Sequence, residues 1–273
     1  MKENLKPRWI KLRRFVAMLE PFPHANDTIP PLPPDYLLGR VVYDYCNEDV
    51  EGSAHAWICM DKGYCMQSLH VKSRNQTRKA IREGAQVVRM TWDDAAKALP
   101  IMIEDTFKRQ GRSAVDQFKM YISELRHVDK TQYHDAIEIW GAKKDGVFGA
   151  IIIGIIYKQT YYILHQLSKS SELKWCPNNI LTYQVVQRAF GDLDCEKVNY
   201  GVDGLDNEKL DGLARFKKRM GFELLPCKEK YVGRLGIIPI LMTLSWAANM
   251  IPTGSFLDKY DSWRMLRGLY GRL

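Results

Sequence analysis

The chain of 273 residues is basic, with 40 lysines and arginines against 32 aspartates and glutamates and a formal net charge of +8. This charge favours an anionic partner such as phosphate, nucleic acid or an acidic membrane surface. Hydrophobic residues make up 46% of the chain, which is enough for a real core. The six cysteines form no Cys-X-X-Cys pair and do not cluster with histidines, so we expect reduced thiols and no metal site. The basic N-terminus has no long apolar segment, which predicts a cytoplasmic protein.

The first part of the chain, residues 1–84, is predicted to be an extension that contains β-strands. Its proline-rich segment Ile29–Pro34 favours an extended arm on the surface. Alternating apolar residues predict strands at 40–45, 54–60 and 64–69, with a turn at Asp61-Lys62-Gly63 before the last of them.

A basic helix is predicted from about Val71 to Glu83, and Gly84 ends it. Arg74, Arg78 and Arg82 recur at intervals of four residues, so they would project from one face. Arginines on one face suit bidentate binding of phosphate groups. Arg74 and Arg78 are therefore candidate donor-binding residues, although a solvated basic face fits the pattern equally well.

The following part, residues 85–235, shows a regular order of elements, β-α-α-β-β-β-α-β-α-β-β. The predicted strands are 85–91, 134–142, 147–157, 161–168, 197–201, 222–226 and 229–234, and the predicted helices are 92–110, 113–125, 177–190 and 206–220. The apolar run from Phe148 to Ile156 is shorter than the roughly 20 residues that cross a bilayer. We expect it to form a central strand that is buried on both faces.

Two motifs carry a family resemblance. Gly212–Phe222 reads GLARFKKRMGF, a short basic helix with one apolar face that ends at Gly221, and Leu69–Ala80 reads LHVKSRNQTRKA. Together with the order of elements, they resemble the GNAT acyltransferases of the FemAB-like branch, which includes peptidoglycan aminoacyl transferases and acetyltransferases linked to polysaccharide synthesis. The resemblance covers about residues 64–235.

The resemblance implies a mixed α/β, GNAT-like fold, in which helices flank a central, mostly antiparallel sheet that splays open. The catalytic domain would be residues 85–235, and 236–273 would form a helical tail. The implied function is N-acyl transfer to an amino group of a small molecule, such as an amino sugar or a saccharide precursor. The alternatives are aminoacyl transfer from tRNA to a cell-wall precursor and a non-catalytic GNAT-like binding protein.

The resemblance also implies that acyl-CoA (acetyl-CoA) is the co-substrate. Its carbonyl would lie in the splay after the fourth strand, and its pyrophosphate at the start of the next helix, where Asn178 and Asn179 lie. Lys174 and Arg215 are further candidate donor-binding cations. The segment before that helix, Ser170–Pro177, has no glycine where the family has a glycine-rich loop, and it places the bulky Trp175 there.

Lys217 is the leading catalytic candidate, together with Phe216. It stands four residues before Gly221, where the resemblance places a tyrosine general acid in other GNAT enzymes. A lysine there suits negative charge that develops on the transferring carbonyl; alternatively it is a surface charge. Asp203, after a strand end, and His165, within a strand, are weaker candidates for proton transfer. A turn residue and a packed histidine are the simpler interpretations.

The C-terminal segment has an apolar part and a basic part. Residues 237–251 are apolar but too few to span a bilayer. Residues 259–273 interleave aromatic and leucine side chains with arginines, which predicts peripheral contact with an anionic membrane. The alternative is that both segments pack on the catalytic domain or on another subunit.

Overall fold

The computed structural model of the protein describes residues 6–13, 16–44, 54–110, 118–119, 122–123, 136–202, 211–233 and 237–250. The chain forms two compact units. The first contains mainly Trp57–Gly201 and Phe216–Glu223, and the second contains mainly the described residues of 6–56 and 224–250.

The strands in the described residues are β1 Arg8–Arg13, β2 Val16–Glu20, β3 Leu38–Val42, β4 Ala54–Cys59, β5 Gln86–Arg89, β6 Ile137–Lys144, β7 Val147–Tyr157, β8 Thr160–Ser168, β9 Lys197–Val202, β10 Glu223–Cys227 and β11 Glu229–Gly233. The α-helices there are α1 Val71–Arg82, α2 Trp92–Gln110, α3 Pro177–Gly191, α4 Asp211–Arg219 and α5 Ile237–Asn249. Short 3-10 helices occupy Met66–Ser68 and Ser170–Trp175.

The larger sheet has the strand order β10-β4-β9-β8-β7-β6-β5. Strands β5 to β8 form an antiparallel meander, whereas β8 and β9 are parallel. Ile151, Ile152 and Ile153 of β7 are fully buried, so the prediction of a central buried strand is confirmed. The turn between β6 and β7 has positive φ at Asp145 and Gly146, as a two-residue hairpin turn requires. The mixed α/β fold with a GNAT-like sheet is therefore confirmed.

Helix α1 packs on α3 through its small side chains. Ser73, Thr77 and Ala80 are its buried residues, and they recur at intervals of four and three. Thr77 satisfies its hydroxyl by donating to the carbonyl oxygen of Ser73 at 2.9 Å. Small residues on this face allow the two helices to approach closely, which leaves the long cationic side chains of α1 on the opposite face.

The second unit contains a four-stranded sheet with the order β1-β2-β3-β11. Arg40 on β3 donates to Glu229 on β11 at 2.9 Å, and both side chains are buried. Helix α5 belongs to the same unit, where Ile238 and Leu241 pack against a buried pair, Val16 and Leu38.

Two sequence predictions in this region were incomplete or wrong. The strand predicted at 64–69 is a turn and a 3-10 helix, because Ser68 accepts a hydrogen bond from the Cys65 N–H and donates one to Asp61. Strands β1 and β2 were not predicted; in β1, the basic residues obscured the alternation of apolar side chains. Of the helix predicted at 113–125, only 118–119 and 122–123 are described, and they are helical.

The cysteines at positions 59, 65, 176, 195 and 227 are free thiols, as expected. Burial raises the pKa of Cys59 and of Cys195 to about 11, so both stay protonated at neutral pH. In the described part of the chain, no helix is both long and apolar enough to cross a membrane.

Candidate active site

The candidate site lies where strands β8 and β9 separate. Their parallel ladder runs from Thr160 opposite Lys197 to Tyr162 opposite Asn199, whereas β8 continues to Ser168 and β9 to Val202. A β-bulge lies where the gap begins, because Ile153 of β7 pairs with His165 while the next residue, Gly154, pairs with Ile163. A bulge bends a strand and redirects its side chains. The splay predicted after the fourth strand of the domain is therefore present.

A polar network connects the two separated strands with the start of α3. The buried Tyr200 donates its hydroxyl hydrogen to Oε1 of Gln166 on β8. The same oxygen accepts a hydrogen bond from Oγ1 of Thr182 at 3.1 Å, and Nε2 of Gln166 donates to Oδ1 of Asn178 at 2.9 Å. Burial raises the pKa of Tyr200, so its hydroxyl stays protonated and acts as a donor at neutral pH.

Lys217 of α4 contacts Tyr200, a member of this network. Its side chain is only 6% exposed, and Nζ donates a hydrogen bond to the carbonyl oxygen of Tyr200 at 2.7 Å. The same Nζ lies 4.7 Å from the centroid of the Tyr200 ring, within the range of a cation–π contact. Burying an ammonium group costs free energy unless the group is hydrogen-bonded. The bond to the Tyr200 carbonyl oxygen therefore allows Lys217 to occupy this buried position. The alternative that Lys217 is a surface charge is wrong.

The C-terminal end of α4 is held by His70 of the other motif and by Tyr64, which lies just before that motif. The hydroxyl of Tyr64 donates to the carbonyl oxygen of Met220 at 2.7 Å, and the N–H of His70 donates to that of Arg219 at 3.0 Å. Gly221 has φ +88°, the left-handed conformation expected for a residue that ends a helix. A Cβ atom there would lie 3.2 Å from both the Ser68 carbonyl oxygen and the Tyr64 ring. The two sequence motifs therefore meet at this helix end and fix the position of Lys217.

The loop before α3 reaches its turn without glycine. Cys176 takes the left-handed conformation, with φ 61°. Trp175 is 1% exposed and donates its indole N–H to Glu172 at 2.8 Å. Its ring lies against Gly149 of β7, where a Cβ atom would come within 2.3 Å of it. Trp175 therefore packs against the sheet. The sequence suggested that this bulky side chain stands at the start of α3, but the ring is buried against β7 instead.

Asn179 contacts two other parts of the first unit. It is 6% exposed, and its Nδ2 lies 3.4 Å from Oε1 of Gln76 on α1 and 3.6 Å from the sulfur of Met220. Its backbone N–H bonds to the carbonyl oxygen of Cys176 at 3.1 Å. The side chain therefore fixes the start of α3 relative to α1 and the end of α4.

The arginines of α1 occupy different surroundings. Arg74 is half-buried, and one of its terminal nitrogens donates to the carbonyl oxygens of Gln67 and Leu69 at 3.1 and 3.0 Å. Arg78 and Arg82 are exposed. Arg74 thus stabilises the 3-10 helix before α1, and its assignment to donor binding, like that of Arg78, stays a prediction.

An open groove of about 540 Å³ runs along α1, lined by His70, Val71, Lys72, Asn75, Gln76, Lys79 and Arg82. Lys79 reaches across to the loop before α3, where its Nζ donates to the carbonyl oxygen of Lys174 at 2.6 Å. The Lys174 side chain is itself exposed. Two cations thus lie at the loop that leads into α3. The sequence analysis selected Lys174 but not Lys79, which the motif contains.

The remaining candidates are His165, Phe216, Arg215 and Asp203. His165 is half-buried, and its ring meets the Phe118 ring edge-on at 4.7 Å, as a packed histidine would. Phe216 is half-buried and Arg215 exposed on α4. Asp203 lies outside the described residues. The roles of all four stay predictions.

Sequence reasoning missed the polar residues of β8. Ser168 accepts hydrogen bonds from Arg109 of α2 at 2.9 Å and from Nδ2 of Asn178 at 3.2 Å, while its backbone N–H donates to Thr106. Gln166 and Ser168 alternate along the strand, so they share one face. Two polar residues on the same face at the end of an otherwise apolar strand were the available signal.

A mixed sheet with a splayed parallel pair, and a helix start and a buried lysine beside the gap, define an acyltransferase of the GNAT type. The chain belongs to the family described as the acetyltransferase (GNAT) domain, whose model matches residues 71–218. That match covers more than half of the chain, and it includes α1, α3, Lys217 and the strands between them.

Solved structures with similar folds include FemX, at 13% identity and a TM-score of 0.58, with 76% of this chain and 75% of FemX covered. A second similar structure is a domain of a putative lysylphosphatidylglycerol synthetase from Agrobacterium fabrum, at 14% identity and a TM-score of 0.49, with 81% of this chain and 69% of that chain covered. A third is L-PGS from Bacillus licheniformis, at 12% identity and a TM-score of 0.45, with 76% of this chain and 71% of that chain covered. No curated protein matches the chain. At this identity, the likeness to FemX shows a similar fold.

Proposed function

We propose that the protein is an N-acyltransferase that moves an acyl group from a phosphate-bearing donor to the amino group of an amino sugar or a saccharide precursor. The observation that carries the proposal is the position of Lys217. Its ammonium group is buried and bonded to the Tyr200 carbonyl oxygen, next to the gap between β8 and β9. A charge held in a site with little water interacts strongly with a charge that forms beside it.

In this reaction the amine nitrogen attacks the acyl carbon, so that a C–N bond forms and the carbonyl oxygen becomes negative. The C–S bond of a thioester, or the C–O bond of an ester, then breaks. The amine loses one proton and the leaving group gains one. Lys217 would stabilise the negative charge on the carbonyl oxygen or on the leaving group. The hydroxyl of Tyr200, which donates to Gln166, would fix the position of Tyr200, and the backbone carbonyl oxygen of Tyr200 would orient the lysine.

The favoured donor is acyl-CoA, with its pyrophosphate at the start of α3. Backbone N–H groups at a helix N-terminus attract phosphate, and the first turn of α3 contains no acidic residue to oppose it. Lys174 and Lys79 would add positive charge at the preceding loop. The ring of Trp175 packs against Gly149 of β7, and Cys176 is the residue directly before α3.

A second candidate is aminoacyl transfer from tRNA, and the groove along α1 favours it. This groove is open, and three cations, Lys72, Lys79 and Arg82, line it. An open cationic groove suits a phosphate backbone, whose binding depends strongly on salt. The loop without glycine also fits a donor other than coenzyme A.

Product analysis tests the proposal and separates the two donors. The protein is incubated with acetyl-CoA or with aminoacylated total tRNA, together with an amino sugar or a muropeptide amine, and amide products are detected by mass spectrometry. We expect an amide with one donor, and far less of it in the same time with a Lys217→Met variant. Binding is measured in parallel by thermal shift, because a ligand at 100 times its Kd stabilises the folded state by about 2.7 kcal/mol. The absence of amide product with both donors, for folded protein that binds one of them, would reject the proposal.

A further inference from the structure

We propose that α5 lies in the surface of an anionic lipid bilayer, with the outer face of the helix in contact with the acyl chains. The outer face consists of Ile240, Met242, Leu244 and Trp246 of α5 and of Met250, which directly follows the helix; Thr243 and Ala247 are also exposed on this side. This inference rests on the second compact unit alone and is independent of the proposed acyl transfer.

Helix α5 packs Ile238 and Leu241 inward, but it also exposes large apolar residues that an ordinary surface helix would bury. The outer-face residues are between 49% and 69% exposed: Ile240 55%, Met242 50%, Leu244 49%, Trp246 54% and Met250 69%. In contrast, the small residues Ser245 and Ala248 are 1% and 0% exposed. A helix of a globular protein usually turns its large apolar residues inward and its polar residues outward. Large contiguous apolar patches on a protein surface mark sites of interaction.

The width of the outer face indicates a lipid phase rather than a protein partner. At 100° per residue, the exposed stretch from Met242 through Trp246 to Ile240 and Leu244 spans about 200° of the helix circumference, and Thr243 and Ala247 lie within it. A second copy or another protein docks against one side of a helix, whereas acyl chains surround every part that is immersed. Residues 237–250 also contain no charged side chain that would resist transfer out of water.

The dimensions and the flanking sequence fit a helix that lies in the interface. The 13 residues of α5 extend about 20 Å, which is too short to cross the hydrocarbon core. Trp246 is the residue type that favours the level of the lipid headgroups. The sequence after α5 is basic: residues 259–273 contain one lysine and three arginines against one aspartate. Basic residues next to an apolar helix favour anionic lipid over neutral lipid.

Vesicle flotation with the full chain tests this inference. Wild-type protein is mixed at low salt with vesicles of phosphatidylcholine alone or with about 30% phosphatidylglycerol. We expect binding to the anionic vesicles that weakens with salt, and a loss of about tenfold or more in the Ile240→Gln/Leu244→Gln variant. Ile101→Gln is the matched control, since Ile101 on α2 is 56% exposed and Ile240 is 55% exposed. The control should bind as wild type does.

Quenching by lipids with brominated acyl chains tests insertion. We expect these lipids to quench part of the tryptophan emission of wild type, and the Trp246→Phe variant to lack that part. Three results would overturn the inference: wild-type protein that does not float with anionic vesicles, equal losses in the α5 and Ile101 variants, or a lipid-free dimer that the α5 substitutions dissociate.

Discussion

Tyr64→Phe tests whether the end of α4 is held as the structure indicates. The hydroxyl of Tyr64 donates to the carbonyl oxygen of Met220 at 2.7 Å, and the side chain is only 5% exposed. Its removal leaves a buried carbonyl without that donor, which costs about 1–3 kcal/mol of unfolding free energy. For a domain of this size, each kcal/mol corresponds to about 2–4 °C in Tm. We therefore expect Tm to fall by several degrees.

The assay is urea denaturation and thermal unfolding of the variant beside Tyr43→Phe, which removes a hydroxyl from the second unit. The transfer rate of Tyr64→Phe should also fall, because Met220 directly follows the helix that carries Lys217. A Tm within about half a degree of wild type, or a fall in Tm equal to that of Tyr43→Phe, would refute the argument that the Tyr64–Met220 hydrogen bond anchors α4.

Three further variants test neighbouring features. Gly149→Ala should lower the free energy of unfolding by about 1–3 kcal/mol and weaken donor binding, because the added Cβ would meet the Trp175 ring at 2.3 Å. Thermal unfolding with and without donor measures the stability and the donor binding. Lys79→Gln should weaken donor binding and reduce its salt dependence, whereas Lys62→Gln, on an exposed turn, should change neither. Donor titrations of both variants at several salt concentrations measure this difference. Hydrogen bonds from the Ser170 hydroxyl and N–H lower the pKa of Asp105 below its ordinary value of 3.8. The ionised carboxylate therefore stabilises the folded state above that pH, and this stabilisation is lost as the pH falls through the folded-state pKa. Asp105→Asn should therefore flatten the pH dependence of unfolding below about pH 4, and an unchanged acid limb would contradict it.

Local patterns sufficed to predict much of the fold. The glycines at 84 and 221 end helices with positive φ, as their positions indicated. Asp145-Gly146 forms the expected hairpin turn, because only a few residue types accept the left-handed conformation there. The apolar run 148–156 lies in the buried strand β7 because it has no polar face to expose. In each case a short stretch of sequence determines the conformation.

The candidate site was only partly predictable, because its contacts join distant residues. Lys217 looks like one cation among several on a basic helix, and its burial depends on the Tyr200 carbonyl oxygen 17 positions away. Trp175 looked like an obstacle because nothing local shows that Gly149 on β7 leaves room for its ring. The 3-10 helix at 66–68 forms where alternation predicted a strand, since side-chain bonds of Ser68 compete with strand pairing.

The most direct test of the central claim compares single-turnover transfer rates of Lys217→Met and Lys218→Met. Both variants lose one lysine charge from α4, but Lys217 is buried at the gap between β8 and β9 whereas Lys218 is exposed. Circular dichroism and Tm confirm that each variant is folded. By analogy with the loss of an oxyanion donor, we expect Lys217→Met to be slower by about 10²–10³-fold, while Lys218→Met stays near wild type. Equal single-turnover rates for Lys217→Met and wild type would contradict the account.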